Sequence, residues 1–219
     1  MSTDVLAIDV GRALDEVDEW LTGYITQPHA EIGRSGAVCP FVAPARRAGA
    51  VETAVRLVGP AASLPLLKEV IRCGLDEFER FPWRAANPSL RSLLLVLPDL
   101  PAEAFGRLDQ AHAELKSEAV HRGLMIGQFH AACEEPAARN PAFLVSRSPV
   151  PLVAVRAMAV HDIFFLGDRP DWFAEYFRRF GAKYRNRSGG LGELLTGLYQ
   201  KALALHGPGT PRRAEGDAE

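Results

Sequence analysis

The run LRSLLLVL, residues 90–97, decides the fold class of this chain. Pro88 and Pro98 bound it, and a short aliphatic run between such breaks is typical of a buried strand. Helical spacing of apolar residues appears on both sides of it, over residues 63–80 and 101–121. A buried strand between two amphipathic helices indicates a layered domain built from helices and a sheet.

The rest of the chain extends this pattern. Further helices are expected over residues 5–25, 170–184 and 190–205, and further strands over 50–58, 124–129 and 150–160. We therefore expect a single α+β or three-layer domain over residues 1–206, with a small mixed β-sheet of about four strands packed with amphipathic helices. The strand order does not follow from the sequence. Residues 207–219, rich in Gly, Pro and charge, are expected to form a disordered tail.

Composition narrows the class of function. The 219 residues carry a formal net charge of −2, so no basic field favours nucleic acid or an anionic membrane. No apolar run approaches the roughly 20 residues that a membrane helix needs. The three Cys, an odd number, do not indicate a disulfide framework. We expect a cytoplasmic protein with reduced thiols and a small-molecule partner; a homodimer is left open.

Two irregular segments stand out. The first loop segment, residues 28–44, reads PHAEIGRSGAVCPFVAP and is too rich in Gly and Pro to predict a helix. The second loop segment, residues 127–151, reads GQFHAACEEPAARNPAFLVSRSPVP. Long irregular segments are uncommon inside compact domains and are usually functional when ordered. Because each contains a His and a Cys, we expect the two to meet at one shared site.

Three residues of these segments are candidates for chemistry. His130 follows an expected strand, whose backbone would fix an imidazole that serves as metal ligand, haem ligand or acid–base group. Cys39 precedes Pro40 and is therefore in extended backbone, where its thiolate could bind haem iron or act as a nucleophile. His29 shares the first loop segment with Cys39. The alternatives are a small buried Cys39 and a His130 bonded to a backbone carbonyl.

Three arginines lie in or near the same segments: Arg34, Arg147 and Arg156. Guanidinium groups bind carboxylates in bidentate fashion, so either haem propionates or the carboxylate of an amino acid would suit them. Arg156 interrupts an apolar run. A buried Arg must be paired, and Asp162 or Glu134 is the expected partner if its role is structural.

Common signatures of other sites are missing. The sequence contains no G-x-x-x-x-G-K-[ST], H-E-x-x-H, C-x-x-C or G-x-S-x-G motif, so a P-loop, the usual zinc sites and a nucleophile elbow are not expected. His112 lies on the apolar stripe of a helix, which favours a hydrogen-bonded core histidine. The aromatic stripe in residues 170–184 favours core packing over a cofactor wall.

The motifs GRSGAVCPFV, FHAACEEPAARNP and SRSPVPLVAVRAM resemble those of an uncharacterised bacterial family that is often found near specialised-metabolism genes. The resemblance covers roughly residues 25–180. A more remote similarity is to the YqcI/YcgG-like proteins, some of which are haem enzymes that hydroxylate nitrogens of amino acids. Ala131 stands where that pattern has Pro. The resemblance implies a haem b cofactor and an oxidoreductase activity in biosynthesis.

These observations lead to one main hypothesis and two alternatives. The main one is a haem-dependent oxygenase that acts on a small amine or amino acid in specialised metabolism. His130 would be the axial iron ligand, ahead of Cys39 and His29, and the three arginines would hold propionates or substrate. The first alternative is a cofactor-free enzyme with Cys39 as nucleophile and His29 or His130 as base. The second is a non-catalytic module that binds a small molecule or a protein partner.

Overall fold

The computed structural model describes residues 9–185 and 191–208. It confirms the α+β class and the mixed sheet of four strands, and it adds a small two-stranded sheet. The described residues fall into two compact units, residues 9–119 with 124–157 and residues 120–123 with 158–208. Of the expected first helix, last helix and tail, residues 5–8, 190 and 209–219 lie outside the described residues.

The first unit contains both sheets. Its helices are α1 (Val10–Trp20), α2 (Val42–Arg47), α3 (Leu64–Arg80) and α4 (Phe105–His121), the last of which ends in the second unit. Its strands are β1 (Val51–Val55), β2 (Ser92–Val96), β3 (Leu124–Phe129), β4 (Pro136–Ala137), β5 (Asn140–Leu144) and β6 (Leu152–Ala157). Short 3₁₀ turns occur at Ala30–Ile32, Pro88–Leu90 and Ala102–Ala104.

The second unit is helical. A 3₁₀ turn at Val160–Asp162 leads into α5 (Ile163–Leu166), α6 (Pro170–Arg185) and α7 (Glu193–His206). Phe173, Tyr176 and Phe180 of α6 are buried, and the Phe173 ring lies 5.9 Å from that of Tyr199 on α7. The aromatic stripe is therefore core, as expected. Within residues 9–185 and 191–208, no helix is both long enough and apolar enough to cross a membrane.

Side-chain caps start the helices that flank the sheet. The Asp9 carboxylate accepts a hydrogen bond from the backbone N–H of Arg12 at 2.9 Å, and the Ser63 hydroxyl accepts one from Leu66 at 3.4 Å. Such caps satisfy donors that the first helical turn leaves free. Helix α3 then buries a stripe at helical spacing that consists of Leu67, Ile71, Gly74, Leu75 and Phe78.

Helix α1 does not end at Trp20 but widens into a π-helical turn, Leu21–Ile25. The backbone N–H of Thr26 donates to the carbonyl of Leu21, five residues back, at 3.0 Å. The Trp20 and Tyr24 rings remain side by side, with centroids 6.4 Å apart and planes inclined by 29°. Such π-turns are rare and occur frequently at functional sites.

The four-stranded sheet has the order β1-β2-β6-β3. Strands β1 and β2 are parallel, whereas β6 is antiparallel to both of its neighbours. Because β6 is an inner strand, its sequence is a nearly continuous apolar run. The expected strand over residues 150–160 is real but shorter. Strand β1 is an edge, and Leu57, expected to continue it, lies beyond its end with 63% of its surface exposed.

Alternate residues of the sheet build two separate cores. Leu93 and Leu95 pack with α3 and α4 on one face, and Leu94 and Val96 pack with α1 and the two loop segments on the other. Successive side chains of a strand point to opposite faces, so the two cores are separated by the sheet. The first unit therefore has three layers: a helical layer, the sheet, and a layer of α1 with the loop segments.

Three short elements were not expected from the sequence: α2, the hairpin β4–β5 and α5. The expectation that residues 28–44 hold no helix is wrong at their end, where α2 begins at Val42. Pro44 lies in the first turn of α2, where a missing N–H is tolerated. The hairpin lies inside the second loop segment, so that segment is more ordered than its composition indicated.

Candidate functional site

The two loop segments contact one another. The Asn140 side chain in the second segment donates a hydrogen bond to the carbonyl of Glu31 in the first at 2.6 Å. The Phe143 ring stacks on His29, with centroids 4.4 Å apart and planes inclined by 25°. Both contacts lie on the face of the sheet that carries α1.

Gly33 permits this close approach. Its φ of +77° lies in the left-handed region, which side chains with a Cβ adopt only with strain. A Cβ at this position would lie 2.9 Å from the carbonyl oxygen of Arg139 in the hairpin turn. The glycine is therefore required both by its backbone conformation and by the contact between the segments.

An open hollow of about 530 Å³ lies where α1 meets the hairpin. We call it the aromatic hollow, and its lining includes Trp20, Tyr24, Phe143, Leu144, Glu31 and Arg147. Three of these residues are aromatic, and two carry opposite charges. The volume falls within the range of about 300–1,000 Å³ that is usual for small-molecule sites.

The polar groups of Trp20 and Tyr24 form hydrogen bonds with the second loop segment. The Trp20 indole N–H donates to the carbonyl of Arg147 at 2.8 Å, and the Tyr24 hydroxyl donates to that of Val145 at 3.3 Å. Burial raises the pKa of Tyr24, so its hydroxyl stays a neutral donor. Because both rings are tethered to the second loop segment, they offer rigid faces to the hollow.

The two charged groups of the hollow are free to bind a ligand. The side chains of Glu31 and Arg147 are exposed, and neither has an ion-pair partner among the described residues. A carboxylate and a guanidinium at one hollow could bind an ammonium and a carboxylate, respectively.

A second cluster lies at the end of β3, on the face of the sheet that carries α4. One donor atom each of Asp109, His130 and Cys133 lies within 4.8 Å of the other two. The Nε2 of His130 is 2.9 Å from Asp109 Oδ1, and the Phe105 ring covers the imidazole with centroids 4.4 Å apart. His130 is 1% exposed, whereas the Asp109 side chain is 42% exposed. The cluster is thus buried at His130 and open at Asp109.

The Cys133 thiol is fully buried, and burial raises its pKa. A backbone hydrogen bond from Glu135 and the positive charge of Arg147 act in the opposite direction. The thiol donates weakly to the carbonyl of Gln128 at 3.8 Å. Because solvent does not reach this sulfur, it is a better candidate for a ligand or a structural thiol than for a nucleophile.

The structure gives the predicted residues of the first loop segment local roles. His29 Nδ1 accepts a hydrogen bond from the backbone N–H of Glu31 at 3.3 Å and so caps the 3₁₀ turn. The Arg34 guanidinium donates to the carbonyls of Ser35 and Val38 at 3.0 and 2.9 Å. These contacts hold the first loop segment in shape.

Cys39 and His130 do not share one site. Cys39 packs against the core on the α1 face, and its backbone N–H donates to the carbonyl of Ile25 at 2.8 Å. His130 contacts Phe105 and Asp109 of α4 on the opposite face. The residues expected at one shared site therefore lie at two separate sites. Arg147 lines the aromatic hollow, and His130 belongs to the cluster with Asp109 and Cys133.

Arg156 is half-buried in β6, opposite Ser92 of β2 and Met125 of β3. Its guanidinium donates to the carbonyl of Ala157 at 3.2 Å, so part of its hydrogen-bonding capacity is used within the strand. It does not line the aromatic hollow. Of the three arginines expected to hold a carboxylate, the hollow contains Arg147.

The sequence did not identify six residues on which these two sites depend: Trp20, Tyr24, Glu31, Phe143, Asp109 and Cys133. The His-x-x-Cys spacing of residues 130–133 could have indicated a shared role for His130 and Cys133, because side chains three residues apart meet across a turn. No sequence signal connects Asp109 to them.

The structure is that of an α+β protein with a layered sheet, an open hollow on one face of the sheet and a cluster of potential ligand atoms on the other. The chain belongs to the family described as a domain of unknown function (DUF6875), whose model matches residues 14–189. That range includes both loop segments and the cluster at His130. No curated protein and no solved structure matches the chain. The family description states no activity, so the resemblance to YqcI/YcgG-like haem enzymes stays a prediction.

Proposed function

We propose that this protein binds a small amino acid in the aromatic hollow, as the substrate of an enzyme or the ligand of a binding module. One observation carries the proposal. The hollow combines three aromatic residues, two of which are tethered by hydrogen bonds, with an unpaired carboxylate and an unpaired guanidinium. An amino acid offers the matching groups, which are an ammonium, a carboxylate and a side chain to be covered.

Charge complementarity assigns the two ends of the ligand. The planar guanidinium of Arg147 would bind the carboxylate through parallel N–H···O bonds. The ammonium would be bound by the Glu31 carboxylate and by the faces of Trp20 and Tyr24, since aromatic rings attract cations. A ligand that lacks either charged group leaves one of these contacts unmade.

The shape of the hollow indicates moderate affinity. Its volume of about 530 Å³ suits a small molecule, but it is open to solvent and both charged residues are exposed. Exposed charge pairs contribute less than buried ones because water screens them. We expect a dissociation constant in the range of about 1 µM to 1 mM.

The haem-dependent oxygenase stays a prediction, as do its alternatives. The amino-acid ligand is common to the oxygenase and to the binding module, so it does not separate them. An absorption spectrum of the purified protein does, because haem b gives an intense Soret band. A protein without that band, which also fails to take up added haemin, would leave the binding module or a cofactor-free enzyme.

Titration calorimetry with three ligand types tests the amino-acid proposal. The panel contains free amino acids, their decarboxylated amines and their N-acetyl derivatives. Arg147→Gln should weaken binding of the free amino acid about tenfold, because a charge-assisted bond is lost, and should leave the amines unchanged. Glu31→Gln should weaken binding of amines and free amino acids but spare the N-acetyl derivatives.

Arg12→Gln is the matched control, since Arg12 is an exposed arginine on the same helix as Trp20 and does not line the hollow. It should bind the panel like the wild type. The proposal is wrong if no free amino acid binds below about 1 mM, or if Arg12→Gln and Arg147→Gln weaken binding equally.

A further inference from the structure

The cluster of Asp109, His130 and Cys133 offers one oxygen, one nitrogen and one sulfur donor within 4.8 Å of one another. None of the three residues is among those that line the aromatic hollow, although the positive charge of Arg147, which does line it, acts on Cys133. Thiolate and imidazole are the ligands that zinc prefers, whereas magnesium and calcium prefer sites built from oxygen. The donor set therefore points to a borderline or soft cation.

An unpartnered nitrogen on His130 independently points to a ligand. The Asp109 carboxylate only accepts hydrogen bonds, so the proton on the neutral imidazole is on Nε2, which lies 2.9 Å from Asp109 Oδ1. That leaves Nδ1 with a lone pair. Nδ1 is buried and has no hydrogen-bond partner, and it is the one such side-chain atom among the described residues. A carboxylate that fixes the imidazole tautomer in this way is the usual outer partner of a metal-binding histidine.

The backbone holds His130 and Cys133 together. The N–H of Cys133 donates to the carbonyl of His130 at 3.1 Å, closing a turn over residues 130–133, and the N–H of Ser148 donates to the same carbonyl at 3.3 Å. The turn is thus fixed by its own hydrogen bond and by one from the segment between β5 and β6. Ligands three residues apart on such a turn are a frequent element of zinc sites.

We propose that His130 and Cys133 bind a zinc ion, through Nδ1 and the thiolate, with Asp109 as the residue that orients the imidazole. Binding replaces the thiol proton, which is released to solvent. Asp109 lies on the Nε2 side of the ring, away from the metal on Nδ1, and the two protein ligands leave positions on the zinc for water or a further ligand. The proposal adds a metal site to the chain and does not rest on the amino-acid ligand of the hollow.

The test uses the full-length chain with Cys39→Ser and Cys73→Ser, so that Cys133 is its remaining thiol. The protein is stripped with a chelator and titrated with Co²⁺, which substitutes for zinc and is coloured. We expect one Co²⁺ per chain, a thiolate-to-cobalt charge-transfer band in the near ultraviolet, and displacement of the band by one equivalent of Zn²⁺. Absence of metal uptake, or cobalt binding without the thiolate band, would overturn the proposal without the need for a further variant.

Variants at the cluster then assign the ligands. Cys133→Ser and His130→Asn should abolish stoichiometric zinc binding measured by competition with a chromophoric chelator, while His29→Asn, outside the cluster, should retain it. Asp109→Asn keeps a hydrogen-bond acceptor and should weaken zinc binding about ten- to a hundredfold, as expected for an outer partner. Zinc binding that survives Cys133→Ser, in a variant shown to be folded by circular dichroism, contradicts the site.

Discussion

His112 is a buried imidazole of α4 whose charge state links the stability of the fold to pH. It is 7% exposed, and its Nε2–H donates to the carbonyl of Ile126 in β3 at 3.1 Å. Burial, followed by the positive charge of Lys116, lowers the pKa of His112 from its ordinary value of 6.5 to about 4. Between these two pH values the folded chain keeps the imidazole neutral, whereas the unfolded chain takes up a proton.

Replacing His112 by Gln removes this titration and keeps an N–H donor for Ile126. A pKa unit corresponds to about 1.4 kcal/mol, so the neutral imidazole should contribute a pH-dependent difference of about 3 kcal/mol. This contribution is fully present above the unfolded-state pKa and is lost as the pH falls through the folded-state pKa. Relative to His112→Gln, the wild type should therefore lose about 3 kcal/mol of unfolding free energy between about pH 7 and pH 4.

Urea unfolding followed by circular dichroism at several pH values within this window measures the difference directly. The pH dependence of all other groups cancels when the two proteins are compared. His121→Gln, at the exposed end of the same helix, controls for loss of a histidine as such. Parallel stability curves for the wild type and His112→Gln would refute the reasoning, and so would an equal effect of His121→Gln.

Three further substitutions test contacts within the two units, each unit taken by itself. Gly74→Ala places a Cβ 2.3 Å from a methyl carbon of Leu95 and should lower the unfolding free energy by about 1–3 kcal/mol, whereas Gly106→Ala on α4 meets open space and should raise it by up to about 1 kcal/mol. Denaturant unfolding of both variants checks this, and equal effects would contradict the contact. Tyr176→Phe removes a hydroxyl that donates to the carbonyl of Val160 at 2.5 Å, so it should lower the unfolding free energy by about 1–3 kcal/mol. Thermal unfolding should then show a lower midpoint. An unchanged midpoint would contradict the hydrogen bond.

The sequence predicts the regular elements well where periodicity and end signals agree. The strand expected over residues 124–129 is β3 with the same bounds, and the helix expected over 63–80 is α3 from Leu64 to Arg80. The hairpin β4–β5 could not be predicted, because its strands are short, contain prolines and pair with each other rather than with the main sheet. Its pairing depends on contacts with the first loop segment, which local propensity does not encode.

The candidate site is less visible in the sequence than the fold. Phe129 and His130 are consecutive, so their side chains point to opposite faces of the sheet, and strand parity alone places His130 away from the loop layer. Trp20 and Tyr24 look like ordinary members of an amphipathic helix; their role follows from the hairpin that packs against them. Asp109 precedes His130 by 21 positions and is brought to it by the packing of α4 on β3.

The wide turn at Leu21–Ile25 makes the geometry of the aromatic hollow sensitive to chain length as well as to side-chain identity. Deleting Gly23 would restore ordinary helical winding and rotate the preceding residues by about 100° about the axis. Tyr24 would keep its hydrogen bond to Val145, whereas the indole of Trp20 would no longer line the aromatic hollow. Among chains that share this domain, a one-residue gap at this point would thus mark a changed specificity even where every aromatic is kept.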